Sequence, residues 1–189
     1  LMMGVSAAAA EVSGEITVVS REEGSGTRGA FIELTGVEER NADGVKVDNT
    51  TEEAVVTNST NVMMTTVAGD ESAIGYISLG SLNDTVKALQ IDGVDATVEN
   101  IKNGAYTLAR PFNIATKKGL SEVAQDFVNY IMSAEGQQVI ADNKYIPLDD
   151  APAYEGKQVS GKIVVAGSSS VTPVMQKLAE AYQVVNPNA

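Results

Sequence analysis

The sequence predicts an α/β protein, in which short buried strands alternate with helices. Two apolar runs have nearly the same sequence, at residues 12–19 and 159–165. Both contain glycine and are rich in β-branched residues, which is typical of buried strands. Each is followed by a helix-like stretch, at residues 30–34 and 174–182. Strands that alternate with helices favour the α/β class.

The second helix has the clearer signals. Val174, Leu178 and Tyr182 recur at helical spacing, and Pro173 occupies a position that a first helical turn accepts. Thr172 is the expected N-cap.

Between the two strand–helix units, residues 44–48 are expected to form a strand. Thr50 or Thr51, followed by two glutamates, predicts a helix start, with polar residues 58–61 in the middle of that helix. Further strands are expected at residues 73–79, 86–91 and 109–116, the last with a bend or an edge position at Pro111.

A second helical region begins at Ser121, the expected cap of an amphipathic helix. Its buried stripe is formed by Val123, Phe127, Tyr130 and Ile131. Residues 133–137 begin another helix, residues 145–147 are extended, and residues 149–156 form a polar linker.

Composition excludes several functional classes. The 189 residues are 43% hydrophobic, enough for a real core, and carry a formal net charge of −12. Binding to nucleic acid or to an anionic membrane surface is therefore not expected. With no cysteine and no histidine, disulfides, thiolate nucleophiles, Ser-His-Asp triads and ordinary zinc sites are excluded.

The first ten residues resemble the end of a signal peptide, an apolar stretch that runs into four alanines. This pattern favours export from the cytoplasm. A cloning remnant or an ordinary apolar N-terminus remains the alternative.

Two loops rich in glycine and serine predict an anion site. The first places Arg21 just past a strand and follows it with Ser25, Gly26 and Thr27, and the second contains Ser168, Ser169 and Ser170. A loop that leads from a strand into a helix directs N–H groups, hydroxyls and the positive end of the helix dipole at one spot. Two such half-sites can close on one small oxyanion. The alternative is a pair of solvated turns.

The first loop also contains G-x-G-x-x-G at residues 24–29, with Asp48 about twenty residues later, as in dinucleotide-binding proteins. Three polar residues separate the strand from these glycines, and Glu22 and Glu23 would crowd a pyrophosphate.

Because neighbouring side chains point to opposite sides of an extended chain, these two carboxylates are not a hydrolytic pair.

With both loops considered, the sequence closely resembles the PstS-like phosphate-binding proteins of bacterial ABC importers. The resemblance is carried by residues 18–31 and 164–173 and by residues 73–80, 110–112 and 133–137. It implies a two-lobed fold like that of the type II periplasmic binding proteins. It also implies a periplasmic or cell-surface location, an ABC permease partner in the membrane, and neither catalysis nor a cofactor or metal.

The resemblance also implies the role of each loop residue. Arg21 pairs with phosphate oxygens, while Ser25, Gly26 and Thr27 donate through amides and hydroxyls. On the other side, Ser169 and Ser170 donate and Ser168 lies close by.

The order of the segments differs from the family pattern and indicates a circular permutation that lacks a middle segment. The expected divisions are a leader-like tail (1–14), a second-lobe segment (15–86), a first-lobe segment (87–156) and a permuted N-terminal strand–helix unit (157–189). A second copy or a second chain is expected to supply what is missing. The alternatives are an NAD-dependent Rossmann-type oxidoreductase and a rearranged scaffold that binds no ligand.

Overall fold

The computed structural model describes residues 14–189, so the leader-like stretch expected at residues 1–10 lies outside the described residues. The described chain is α/β, as predicted. Its elements are β1 (Thr17–Arg21), α1 (Gly26–Thr35), β2 (Glu38–Arg40), β3 (Lys46–Asp48), β4 (Val55–Thr57), α2 (Thr60–Ala68), β5 (Ala73–Ile74), a 3₁₀ turn (Leu79–Ser81), α3 (Val98–Lys102), α4 (Glu122–Ile131), α5 (Ala134–Asp142) and α6 (Thr172–Val185). Across residues 14–189, no helix is long and apolar enough to cross a membrane.

Three strands form a parallel sheet in the order β4-β1-β5. Because β1 is the central strand, Val19, Ser20 and Arg21 at its end are all buried. Arg21 lies opposite Thr57, the last residue of β4. Helices α1 and α2 follow the carboxyl ends of β1 and β4, which is the edge where open α/β sheets bind ligands.

Helices α4, α5 and α6 form the main hydrophobic core. The stripe predicted for α4 is confirmed, since Val123, Phe127, Tyr130 and Ile131 are each at most 6% exposed. The α6 positions at helical spacing, among them Leu178, pack against it. Ser121 caps α4 as predicted and accepts a hydrogen bond from the Ala124 amide.

A buried carboxylate ties this core together. Oδ2 of Asp126 on α4 accepts hydrogen bonds from Tyr154 Oη at 2.6 Å, Tyr182 Oη at 2.7 Å and Asn186 Nδ2 at 3.2 Å. Burial, together with the bond to Asp126, raises the pKa of Tyr154 to about 12. The phenols therefore remain donors over the physiological range, and α4, α6 and the segment before α6 are joined at one atom.

The helix predicted to start at Thr50 or Thr51 is wrong. A turn occupies residues 52–54, and residues 55–57 form β4, because these β-branched residues find a parallel partner in β1. The polar residues 58–61 do not weaken the middle of a helix. They begin α2, where the Ser59 hydroxyl accepts from the Val62 amide.

Three further strand predictions are wrong. Residues 86–91 and 109–116 have no regular structure, apart from an isolated bridge between Ile91 and Val94. Residues 163–165 belong to no strand either, and Val164 is 80% exposed. Apolar alternation alone does not make a strand, because each strand needs a neighbour to satisfy its backbone groups. The segment boundaries at residues 14, 86 and 156 stay predictions.

Asp126→Asn should lower the free energy of unfolding by about 1–3 kcal/mol, because an amide replaces a charged acceptor shared by three buried donors. Urea unfolding followed by circular dichroism measures the change. Asp142→Asn, at an exposed position on α5, is the matched control and should stay within about 0.5 kcal/mol of the parent chain. Equal stability of the two variants would contradict the role given to Asp126.

Candidate functional site: an anion cradle between two loops

The two loops singled out in the sequence meet in the structure. Arg21 Nη2 donates to Ser169 Oγ at 3.0 Å, and Thr27 Oγ1 donates to Ser170 Oγ at 3.0 Å. A Cβ built on Gly26 would lie 3.7 Å from the Ser168 Cβ. Groups that are more than 140 positions apart in the chain therefore form one polar cluster at the carboxyl edge of the sheet.

The first loop is shaped by the start of α1. Ser25 is its N-cap and accepts from the Arg28 amide at 3.3 Å, and Gly26 is the first helical residue. Arg21 is the last residue of β1 rather than the first residue after the strand, so its backbone is fixed by the sheet. The side chain is 2% exposed, which is rare for an arginine without paired charge.

The Arg21 guanidinium has two edges with different neighbours. Nε and Nη2 donate to the two carboxylate oxygens of Glu22 at 2.7 and 2.8 Å, so this edge is occupied. The other edge, formed by Nη1 and Nη2, is directed at hydroxyls. Nη1 lies 3.5 Å from Thr60 Oγ1 and Nη2 lies 3.0 Å from Ser169 Oγ.

Neighbouring side chains hold the backbone of Arg21 on both sides. The Arg21 amide donates to Tyr76 Oη at 3.1 Å, and the same phenol bonds to the buried Ser20 hydroxyl at 2.9 Å. The Arg21 carbonyl accepts from Arg28 Nη1 at 2.8 Å. Arg28 is itself held by Asp48, which accepts from its Nη2 at 2.7 Å. The position of the guanidinium is therefore set by the chain around it.

The second loop is held in a comparable way. The Ser170 carbonyl accepts from Tyr145 Oη at 3.0 Å, and Ser168 and Ser170 share a hydrogen bond of 2.7 Å. The predicted N-cap role of Thr172 is wrong. Thr172 is the first residue of α6, after Val171, and its hydroxyl donates to the Ser168 carbonyl at 3.2 Å.

Electrostatics favour ionised pairs here. The hydrogen bonds from Arg21 hold the pKa of the Glu22 carboxyl below its usual 4.5. At Asp48, burial opposes ionisation, but hydrogen bonds from Thr50 and Arg28 outweigh it and lower the pKa. Within residues 14–189, no three side chains are grouped to hold a metal ion.

The dinucleotide alternative fits this geometry poorly. The Glu22 carboxylate, which accepts a hydrogen bond from Arg21, places a negative charge beside the glycine loop, where a pyrophosphate would have to bind.

Sequence reasoning missed three residues of the cluster: Thr60, Tyr76 and Tyr145. A signal for the first was present, because Ser59 and Thr60 precede an apolar run in the way that a helix start does. For the two tyrosines there was no local signal, since their hydroxyls reach loops 55 and 25 positions away.

This chain resembles known proteins over most of its length. The PBP superfamily domain matches residues 8–135. A phosphate-binding protein of Streptococcus agalactiae, PstS 2, is 63% identical over 174 residues, which cover 92% of this chain and 59% of that protein. The chain thus spans about three fifths of the length of this relative.

Two solved structures extend the comparison. The phosphate-binding protein of a phosphate ABC transporter from Streptococcus pneumoniae has a TM-score of 0.75 and 50% identity, over 93% of this chain and 68% of that one. A putative phosphate ABC transporter substrate-binding protein from Clostridium perfringens, solved with bound phosphate, has a TM-score of 0.62 and 38% identity, over 71% of this chain and 52% of that one.

The extent of the streptococcal match bears on the order of the two loops. The residues left outside an alignment that covers 92% of the chain are fewer than those before the arginine loop, and also fewer than those after the serine loop. The alignment therefore includes both loops. Since an alignment follows chain order, the S. agalactiae protein also has the arginine loop before the serine loop. The order interpreted above as a permutation is therefore shared with that relative.

Glu22→Gln should destabilise the fold at neutral pH, because it leaves a buried guanidinium without a counter-charge. Since the folded pKa of Glu22 is lowered, its contribution is complete above about pH 4.5 and is lost as pH falls through the folded value. Urea unfolding of the parent and variant chains over a descending pH series should show the difference shrinking. The exposed Glu23→Gln is the control, and a difference independent of pH would contradict this role.

Proposed function

This chain belongs to the PBP superfamily. On that premise we propose that it binds inorganic phosphate for ABC-type import, at the polar cluster of Arg21 and the two loops, which we call the cradle. The observation that carries the proposal is the second edge of the buried guanidinium, which faces the neutral hydroxyls of Ser169 and Thr60 rather than a carboxylate. Arginine presents paired donors that match two oxygens of a phosphate group, and hydroxyls complete a shell around a small tetrahedral anion.

The remaining predicted residues supply further donors. Ser25, Gly26 and Thr27 are at the N-terminus of α1, where free N–H groups and the helix dipole favour an anion. Ser168, Ser169 and Ser170 lie just before α6 on the opposite side. We propose that all seven predicted residues, with Arg21 as the charged member, surround the phosphate.

The energetics of such a site are sufficient. A hydrogen bond to a charged group contributes about 1.5–3 kcal/mol net, and micromolar binding needs about −8 kcal/mol. A handful of bonds reaches this figure after the costs of association. Local donors must also overcome the repulsion expected from a chain with a net charge of −12.

The wider role follows the relatives. The S. agalactiae relative is a phosphate-binding protein, and the two solved structures are described as binding proteins of phosphate ABC transporters. We propose the same role here: an extracytoplasmic receptor, periplasmic or at the cell surface, that closes two lobes around phosphate and delivers it to a membrane permease. No chemical step on the ligand is part of this role.

We also propose that a second polypeptide, another copy or a chain that carries the remaining family segment, covers part of this one. Residues 162–167 have no regular secondary structure and pair with no strand within the described part of the chain. Val164 and Val165 there are 80% and 51% exposed. Ile16, just before β1, and Val56 on β4 are 58% and 61% exposed. Exposed apolar segments with unpaired backbone groups favour association.

Titration calorimetry should show heat with phosphate and none with NAD. Arg21→Ala should weaken phosphate binding by about a hundredfold or more, because it removes several charge-assisted bonds at once. Arg40→Ala, which removes an exposed arginine, is the matched control and should bind normally. Circular dichroism checks that both variants fold. Unchanged affinity in Arg21→Ala would contradict the site, and heat with NAD would favour the oxidoreductase.

If a second copy is the partner, light scattering on the purified chain should give a particle of twice the 19.7 kDa mass of the monomer. Val164→Lys should shift the particle toward the monomer, because it places a charge in the exposed apolar segment. Leu148→Lys, at a position 54% exposed elsewhere, is the control and should leave the mass unchanged. A monomer that binds phosphate fully would contradict the need for a second polypeptide.

A further inference from the structure

We propose that the Thr60 hydroxyl is a direct contact of the bound anion, which makes the first turn of α2 a third wall of the cradle. This inference rests on the proposed phosphate-binding function. It adds a residue that neither the loop pattern nor the family resemblance identified.

The first argument is the geometry of the guanidinium. Its Nε–Nη2 edge is taken by Glu22, so an incoming anion must use the Nη1–Nη2 edge. Thr60 Oγ1 faces Nη1 and Ser169 Oγ faces Nη2, and the two hydroxyls are 3.3 Å apart. An oxyanion seated on this edge therefore meets both hydroxyls.

The lengths of these contacts supply the second argument. The 3.5 Å from Arg21 Nη1 to Thr60 and the 3.3 Å between the hydroxyls exceed the usual lengths of such bonds. Arg21 is held much more tightly by Glu22, at 2.7 Å. The contacts of Thr60 are loose enough to be exchanged for a charged oxygen, which is a stronger acceptor than a hydroxyl.

The placement of Thr60 is the third argument. It is 6% exposed, and it is the first residue of α2, a helix of nine residues. The Ser59 hydroxyl satisfies the Val62 amide, so the cap does not depend on Thr60. The first turn also directs the positive end of the helix dipole toward the same space.

Phosphate titrations of three variants test the inference. Thr60→Val keeps the shape but removes the hydroxyl, and it should weaken binding by about tenfold or more. Thr60→Ser keeps the hydroxyl and should stay within about threefold of the parent chain. Thr65→Val makes the same change at an exposed position on the same helix and should have no effect. Thr60→Ala replaces the valine variant if that chain does not fold.

The outcomes separate the two proposals. If the parent chain binds phosphate and Thr60→Val or Thr60→Ala binds equally well, the role of Thr60 is overturned and the proposed function stands. If Thr60→Ser loses as much affinity as Thr60→Val, the methyl group matters rather than the hydroxyl, and the role is also overturned. If the parent chain binds no phosphate, both proposals fall.

Discussion

The structure depends on one buried positive charge. The Arg21 guanidinium is 2% exposed at the end of the central strand, and burying such a group is costly unless its donors are paired. Glu22 supplies the opposite charge, while Thr60 and Ser169 supply acceptors from two other parts of the chain. The arginine therefore needs β1, α2 and the loop before α6 in fixed positions, and it links the sheet to the helical core.

Each half of the cradle is fixed by a phenol that bonds to its backbone. Tyr76 accepts from the Arg21 amide, and Tyr145 donates to the Ser170 carbonyl. Tyr76 is stacked on Phe31 of α1, with ring centroids 4.2 Å apart. Tyr145 covers Gly80, where a Cβ would collide with its ring. Rigid rings thus hold main-chain atoms, and the loop hydroxyls are held by hydrogen bonds to one another and to Arg21, as a preorganised binding site requires.

Elements with strong local signals could be predicted from the sequence. Helix α4 was located by its cap at Ser121 and its apolar stripe, and Arg21 and the serines were found because each loop joins an apolar run to a helix start. The errors arose where pairing with a distant segment determines whether residues form a strand. Residues 55–57 form a strand because they pair with β1. Residues 163–165 form no strand because no neighbouring strand pairs with them. Thr60 and the two phenols come into the site only through folding.

Glu22 has one more consequence. With its carboxylate on the guanidinium, the cradle is neutral overall, so the phosphate of the proposed complex would add uncompensated negative charge to a chain that already carries −12. The neutral site then exerts no long-range attraction on the anion. Ionic strength should therefore change the rate of association rather than the rate of dissociation. If the proposed complex forms, added salt would screen the acidic surface and raise the association rate, while the short contacts around the anion would be screened far less and its rate of dissociation would change little.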